Sequence, residues 1–211
     1  MDLSKRTDEM RIFFNRVANI NYDEVHTQML NCKTPIAAAL PENTQRILDL
    51  GAGTGLELTA VFERFPNVCV TAIDVSEDML AILSRRPFAD RVAIRCADFF
   101  EADFGQDYDA VISSAALHHF EESVKARLYA KIYACLRPGG VFINSDKCAE
   151  SQEQQDMFFR EFERDGHNHS HFDTPLTAAN ELKLLQQAGF QSTHAEPIPD
   201  TLYSLLTAQK P

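Results

Sequence analysis

Three glycines stand at alternate positions in "RILDLGAGTGLEL", Gly51, Gly53 and Gly55, directly after a short apolar run. Glycine weakens a strand or a helix alike, so this spacing marks a turn where something approaches the backbone. Asp49 lies just before the turn, and a second acid, Asp74, closes the apolar run "VTAID" 25 residues further on (74 − 49). A carboxylate offers two acceptor oxygens, which suits the paired hydroxyls of a ribose. A third acid, Asp98 in "CADFF", is placed to accept from an adenine amino group, with Phe99 beside it to cover the ring. The set reads as a nucleoside site. Counted from Gly51, a G-x-G-x-x-G/A dinucleotide fingerprint needs its third small residue where Leu56 stands, so the nicotinamide reading loses its key spacing.

Two further clusters have the residue types for chemistry. In "SSAALHHF", His118 and His119 follow a predicted strand end, where an imidazole that titrates near neutral pH is suited to take a proton. The alternative is that both histidines start a helix or line a pocket wall. In "DGHNHSHFD", His167, His169 and His171 lie between Asp165 and Asp173, residue types that also ligate zinc or iron. Alternate histidines on a loop point in different directions, and no cysteine or H-E-x-x-H pattern joins them. A solvated or substrate-facing loop, and no metal, is therefore the expectation there. Glu77 and Asp78, after Ser76, read as structural first-turn acids behind an N-cap.

These residues need a scaffold that brings strand ends together. From Arg46 onward, β-branched or apolar runs alternate with segments of helical period, the pattern of βαβ units on a parallel sheet. Strands are predicted at 46–50, 68–74, 92–96, 108–113 and 140–145, with helices at 55–65, 77–86 and 121–136. Downstream, "AESQEQQDMFFREFERDG" predicts a helix with a stripe of Met157, Phe158 and Phe162, and "TPLTAANELKLLQQAGF" a helix ended by Gly189. The last 21 residues, "QSTHAEPIPDTLYSLLTAQKP", supply two strands and a Pro-containing turn. Before the sheet, "DEMRIFFNRVANINYDEVHTQML" reads as helical segments broken near 19–21.

The chain has 211 residues and is 45% hydrophobic, enough for one core of ordinary size. A formal charge of −11 argues against a nucleic-acid substrate, because that affinity comes mainly from Lys and Arg on phosphates. Five cysteines without a C-x-x-C pair fit reduced thiols in a cytoplasmic protein. No apolar run is long enough to span a bilayer, and no signal-peptide pattern opens the chain, so no membrane partner is expected. The apolar helices of the second half leave a homodimer open.

The ordered blocks "ILDLGAGTG", "VTAIDVSEDML", "CADFF", "YDAVISSAALHHF" and "LRPGGVFINSD" resemble the class I S-adenosylmethionine-dependent methyltransferases. The resemblance runs from Gln45 to Thr207. It implies an α/β, Rossmann-like three-layer sandwich whose seven-stranded, mostly parallel sheet has an antiparallel last strand. Residues 1–44 would form an N-terminal helical lid, and 45–211 the core of one domain. The implied cofactor is S-adenosyl-L-methionine, held by Asp49, Gly51, Ala52, Gly53, Thr54, Gly55, Asp74, Val75, Met79, Asp98, Phe99, Ser113 and Ser114. Tyr22 would come from the N-terminal segment, and His118 and His119 are the catalytic candidates. "SSAA" replaces the N-P-P-Y type signal of amino-methylating relatives, which tilts away from planar amines such as adenine, while the negative charge favours a small-molecule acceptor over nucleic acid and leaves a protein side chain open. A non-catalytic nucleoside-binding protein on the same fold, or less strongly an NAD-dependent oxidoreductase, stays open as an alternative.

Overall fold

The computed structural model describes residues 3–20, 22–26, 30–165 and 172–211. Seven strands form one sheet: β1 (Arg46–Leu50), β2 (Cys69–Asp74), β3 (Val92–Cys96), β4 (Tyr108–Ser114), β5 (Leu136–Lys147), β6 (Gln191–Pro197) and β7 (Tyr203–Gln209). Their order is β3-β2-β1-β4-β5-β7-β6. The pairs among β1 to β5 are parallel, while β7 runs antiparallel to both β5 and β6. Strands covered on both faces need continuous apolar runs, and β1 and β4 have them, every residue buried except Arg46 and Asp109. By contrast β7 alternates buried and half-buried positions.

Two apolar layers cover the sheet. On one face α3 (Leu30–Ala39), α4 (Leu56–Arg64) and α5 (Glu77–Leu83) bury Ile36, Leu40, Leu58, Val61, Phe62, Leu80 and Leu83 against the strands. On the other, α6 (Glu122–Cys135) and α8 (Ala178–Gln187) bury Val124, Leu128, Ile132, Leu184 and Leu185 around Phe142. The remaining helices are α1 (Leu3–Ala18), α2 (Tyr22–His26) and α7 (Gln152–Asp165). In α7 the inward stripe is Gln155, Phe159 and Phe162, with Phe158 half-buried, while Met157 faces solvent at 41% exposure. The expected inclusion of Met157 is thus corrected, since one residue of helical phase turns it outward. The parallel strands end on one side, and the crevice opens where the chain leaves β1 for neighbours on both sides, β2 and β4.

Candidate active site

The glycine turn sits at the carboxyl end of β1, and all three glycines have positive φ, 72°, 52° and 72°. They differ in what demands the missing side chain. A Cβ at Gly51 would meet that of Ala116 at 2.5 Å, and one at Gly55 would run into Leu83. At Gly53 the nearest atom is 4.0 Å away, so only there does the missing Cβ face open space. The turn feeds α4, whose N-cap is Gly55 with no side-chain cap, leaving first-turn N–H groups unfilled by the protein's side chains.

A cleft of about 620 Å³ opens over this turn. Of the residues expected at a cofactor, Gly51, Ala52, Gly53, Thr54, Asp74, Val75, Met79, Phe99, Ser114 and Tyr22 line it. Asp74 accepts from Ser76 N at 2.7 Å on one oxygen and from Gly53 N at 2.8 Å on the other, and as a carboxylate lining the cleft it offers acceptor capacity to a ligand hydroxyl. Burial pushes its carboxyl above the usual range, while the amides of Ser76, Gly53 and Val75 pull it down. Ser76 also caps α5 by accepting from Met79 N at 3.2 Å, the structural role expected for that turn.

Four expected residues lie off the cleft wall. Ser113 is buried and donates to Leu50 O at 2.8 Å. Gly55 packs under Leu83. Asp98 is half-buried and accepts from Phe100 N at 2.8 Å, holding its own turn. Asp49 is fully buried just beneath the cleft, and neither of its oxygens has a hydrogen-bond donor among the described residues.

Beside Asp49 stands a pair that sequence reasoning missed. Lys33 Nζ on α3 donates to Glu57 Oε2 on α4 at 3.0 Å and to Ser114 Oγ at 3.2 Å. Burial, then the neighbouring Glu57 carboxylate, raises the Asp49 carboxyl well above the ordinary range. Lys33 answers one oxygen of Glu57, while Glu57 Oε1 and both Asp49 oxygens have no donor among the described residues, so a proton shared between the two carboxyls or a further cation would satisfy them. Lys33 itself is held above its usual range by Glu57 and Tyr22 against the opposing effect of burial.

The N-terminal segment roofs the cleft: Met10 and Phe14 of α1 and Tyr22 of α2 all line it. Two sets of bonds pin the roof. Asn15 Oδ1 accepts from Ser76 Oγ at 2.7 Å, and Asn19 Nδ2 donates to Asp78 Oδ2 at 3.1 Å. Asp23 accepts from Thr54 Oγ1 at 2.7 Å and from Arg86 at 2.5 Å, tying α2 to the glycine turn.

A second, wider cavity of about 1150 Å³ adjoins the first, and Phe14, Tyr22, Ala115 and His119 line both. Ala115 has φ 53°, a conformation uncommon for a side-chain-bearing residue and found preferentially at functional turns. His118 and His119 are 5% and 2% exposed and face this cavity from a short 3₁₀ turn after β4. His118 Nδ1 lies 2.5 Å from Asp146 Oδ1, and Asp146 Oδ2 accepts from Leu117 N at 3.0 Å. The other ring nitrogen, Nε2, is 3.5 Å from Asp173 Oδ1, with His119 Nδ1 3.2 Å from the same oxygen. Lys147 Nζ donates to Asp173 Oδ2 at 2.7 Å. Burial pushes both carboxyls up, but His118 holds Asp146 below the usual range, and His119, His118 and Lys147 hold Asp173 well below it.

His118, His119 and Asp173 therefore present ligand-type atoms within 4.8 Å of one another, with the Lys147 ammonium on the same carboxylate. His167, His169 and His171 lie outside the described residues, but Asp173, the end of that block, reaches the second cavity.

Residues 47–140 match the family described as "Methyltransferase domain". Over 145 residues the chain is 30% identical to a malonyl-[acyl-carrier protein] O-methyltransferase of Bacillus cytotoxicus, a span that covers 68% of this chain and 48% of that protein. The chain thus spans about half the length of this curated relative, or less for others of the same name. Among solved structures, a Nostoc punctiforme protein provisionally described as an O-methyltransferase superposes with a TM-score of 0.76 at 25% identity, over 93% of this chain and 60% of that one. Human N-acetylserotonin methyltransferase, solved with S-adenosylmethionine, superposes with a TM-score of 0.71 at 18% identity, over 93% and 55% of the two chains.

Proposed function

We propose that this chain, which belongs to the class I S-adenosylmethionine-dependent methyltransferases, methylates a small acceptor held in the second cavity, with His118 as the base. The observation that carries the reading is the shared wall: the cleft over the glycine turn and a wider cavity meet at Ala115 and His119. The residues present fit the cofactor. The orphaned oxygens of Asp49 and the Lys33 ammonium suit a ligand end bearing both an ammonium and a carboxylate. Asp74 suits a ribose, and Phe99 with Met79 offers an apolar wall to a base.

When bound, the cofactor supplies a methyl group already activated on a sulfonium. The protein's part is alignment, exclusion of water and proton removal. Met10 and Phe14 line the cleft from its N-terminal side and would help keep water from a bound ligand. Asp146 fixes the His118 ring, and with Nδ1 so engaged, Nε2 is the nitrogen left to take the acceptor's proton. Asp146 then stabilises the imidazolium.

Isothermal titration is expected to show S-adenosylhomocysteine binding, weakened by about 1–3 kcal/mol in Asp74→Ala as a charged acceptor is lost. Unchanged affinity in that variant removes Asp74 from the site.

A further inference from the structure

We infer that Asp49 and Glu57 hold one proton between them in the ligand-free protein and that a ligand's primary ammonium displaces it, which makes Glu57 a positioning residue through which the chain selects an amino-acid-bearing cofactor. This rests on the methyltransferase reading and deepens it at the ammonium end of the ligand.

Three elements bring the groups together. Asp49 comes from β1, Glu57 from α4 and Lys33 from α3, and all three are buried. Lys33 answers Glu57 Oε2 and, on β4, Ser114 Oγ. Three carboxyl oxygens are then left with no donor among the described residues, Oδ1 and Oδ2 of Asp49 and Oε1 of Glu57. Asp74 of β2 acts on Asp49 as a further acid, and Tyr22 of α2 acts on Lys33. With every group ionised, Asp49, Glu57 and Lys33 sum to −1 (−2 + 1), and Asp74 adds a like charge nearby. A low-dielectric site penalises that state heavily. One proton between the two carboxyls removes the excess charge and makes a hydrogen bond, in keeping with the raised Asp49 carboxyl.

Donor counting shows what would replace that proton. A single O–H between two carboxyls occupies two of the three open oxygens, whereas an ammonium brings three N–H donors for three oxygens at the same unit charge. The exchange balances: no bond inside the ligand changes, and the displaced proton goes to solvent. Lys33, Ser114 and Gly51, two residues after Asp49, all line the cleft, so a ligand seated there adjoins the cluster. An adenosine thioether without the amino-acid end brings no cation and leaves the proton where it is.

Isothermal titration of S-adenosylhomocysteine and of methylthioadenosine into the whole chain, each in two buffers of unlike ionisation heat between about pH 5.5 and about pH 7.5, counts the protons released. Both ligands carry the adenine, the ribose and the thioether, so a response of Asp74 or of the histidines common to both cancels in the difference. S-adenosylhomocysteine is expected to release about half a proton or more beyond methylthioadenosine at some pH in that range. Its affinity relative to methylthioadenosine is expected to rise with pH there, since binding that sheds a proton is favoured as protons become scarce. Glu57→Gln removes a like charge and gives Asp49 an amide donor, so the excess release is expected to move down by about one pH unit or more, a shift that a merely structural role for Glu57 would not give. A smaller excess throughout the range, or one unmoved by the substitution, overturns the inference, and if Glu57→Gln fails to fold, the wild-type excess decides it alone. S-adenosylhomocysteine binding without excess release sinks the proton exchange and leaves the methyltransferase reading standing, whereas no binding of S-adenosylhomocysteine removes that reading and the inference with it.

Discussion

His118 is the residue on which proton chemistry depends. His118→Gln keeps a polar side chain of similar reach but no base, and is expected to lower turnover by about 10²–10⁴-fold. Cofactor affinity should stay put, since His118 lines the second cavity and not the first. Formation of S-adenosylhomocysteine from S-adenosylmethionine in the presence of a small-molecule acceptor measures the first quantity and calorimetry the second. A loss smaller than about tenfold would return His118 to the status of pocket wall. The glycine turn, Asp74, Phe99 and both histidines were legible in the sequence because each closes or follows a strand in a fixed order. Lys33, Glu57 and Asp146 were not, and Asp173 was legible only as the end of the histidine block, not as a partner of His118. Their partners lie between 24 and 81 residues away along the chain, and only the packing of α3 on α4 and of the 172–177 segment near β5 makes them neighbours.

At the scale of elements, α2 has only five residues, too short to stand without tertiary support. Asp23 provides that support by joining Thr54 of the glycine turn to Arg86 beyond α5. Asp23→Ala is expected to weaken S-adenosylhomocysteine binding by about 1 kcal/mol, a modest figure because the group is partly solvated, with circular dichroism unchanged. Undiminished affinity would make α2 a bystander. The break near 19–21 and the five parallel strands were readable from periodicity and turn residues. Helix α3 was not, because Pro35 lies in its interior, where a proline costs roughly 3 kcal/mol and argues against any helix. Burial of Ile36, Ala37 and Leu40 on the sheet offsets that cost, a tertiary effect with no local signature. Strand β5 likewise begins at Leu136, ahead of the expected Gly140, since it pairs with Tyr108 through an irregularity that alternation does not reveal.

For the molecule as a whole, the buried acids set a pH response. Asp49 and Asp74 have raised carboxyls, so the folded protein takes up protons before the unfolded chain does. Stability from these groups is full below the ordinary carboxylate range and is lost as pH climbs through their raised values. Asp146 and Asp173 are lowered, so theirs is present above that range and is lost only in stronger acid. Without added cofactor, Asp49→Asn should therefore melt higher at neutral pH, each kcal/mol gained giving about 2–4 °C, and the advantage should shrink toward pH about 5. Scanning calorimetry across that range decides it, and an Asn variant less stable at every pH would show that Asp49 already has its counter-charge. If Asp49 meets a ligand ammonium as proposed, the same variant is expected to bind the cofactor less tightly, the trade of stability for binding that a functional buried acid makes.

Phe14 and Tyr22 belong at once to the ceiling of one compartment and the side of the next. Whatever settles the first compartment also furnishes the second, and linkage makes the favour mutual. If the nucleoside partner orders these two side chains, the methyl recipient is expected to bind more tightly in its presence, and the nucleoside partner by the same factor in the recipient's.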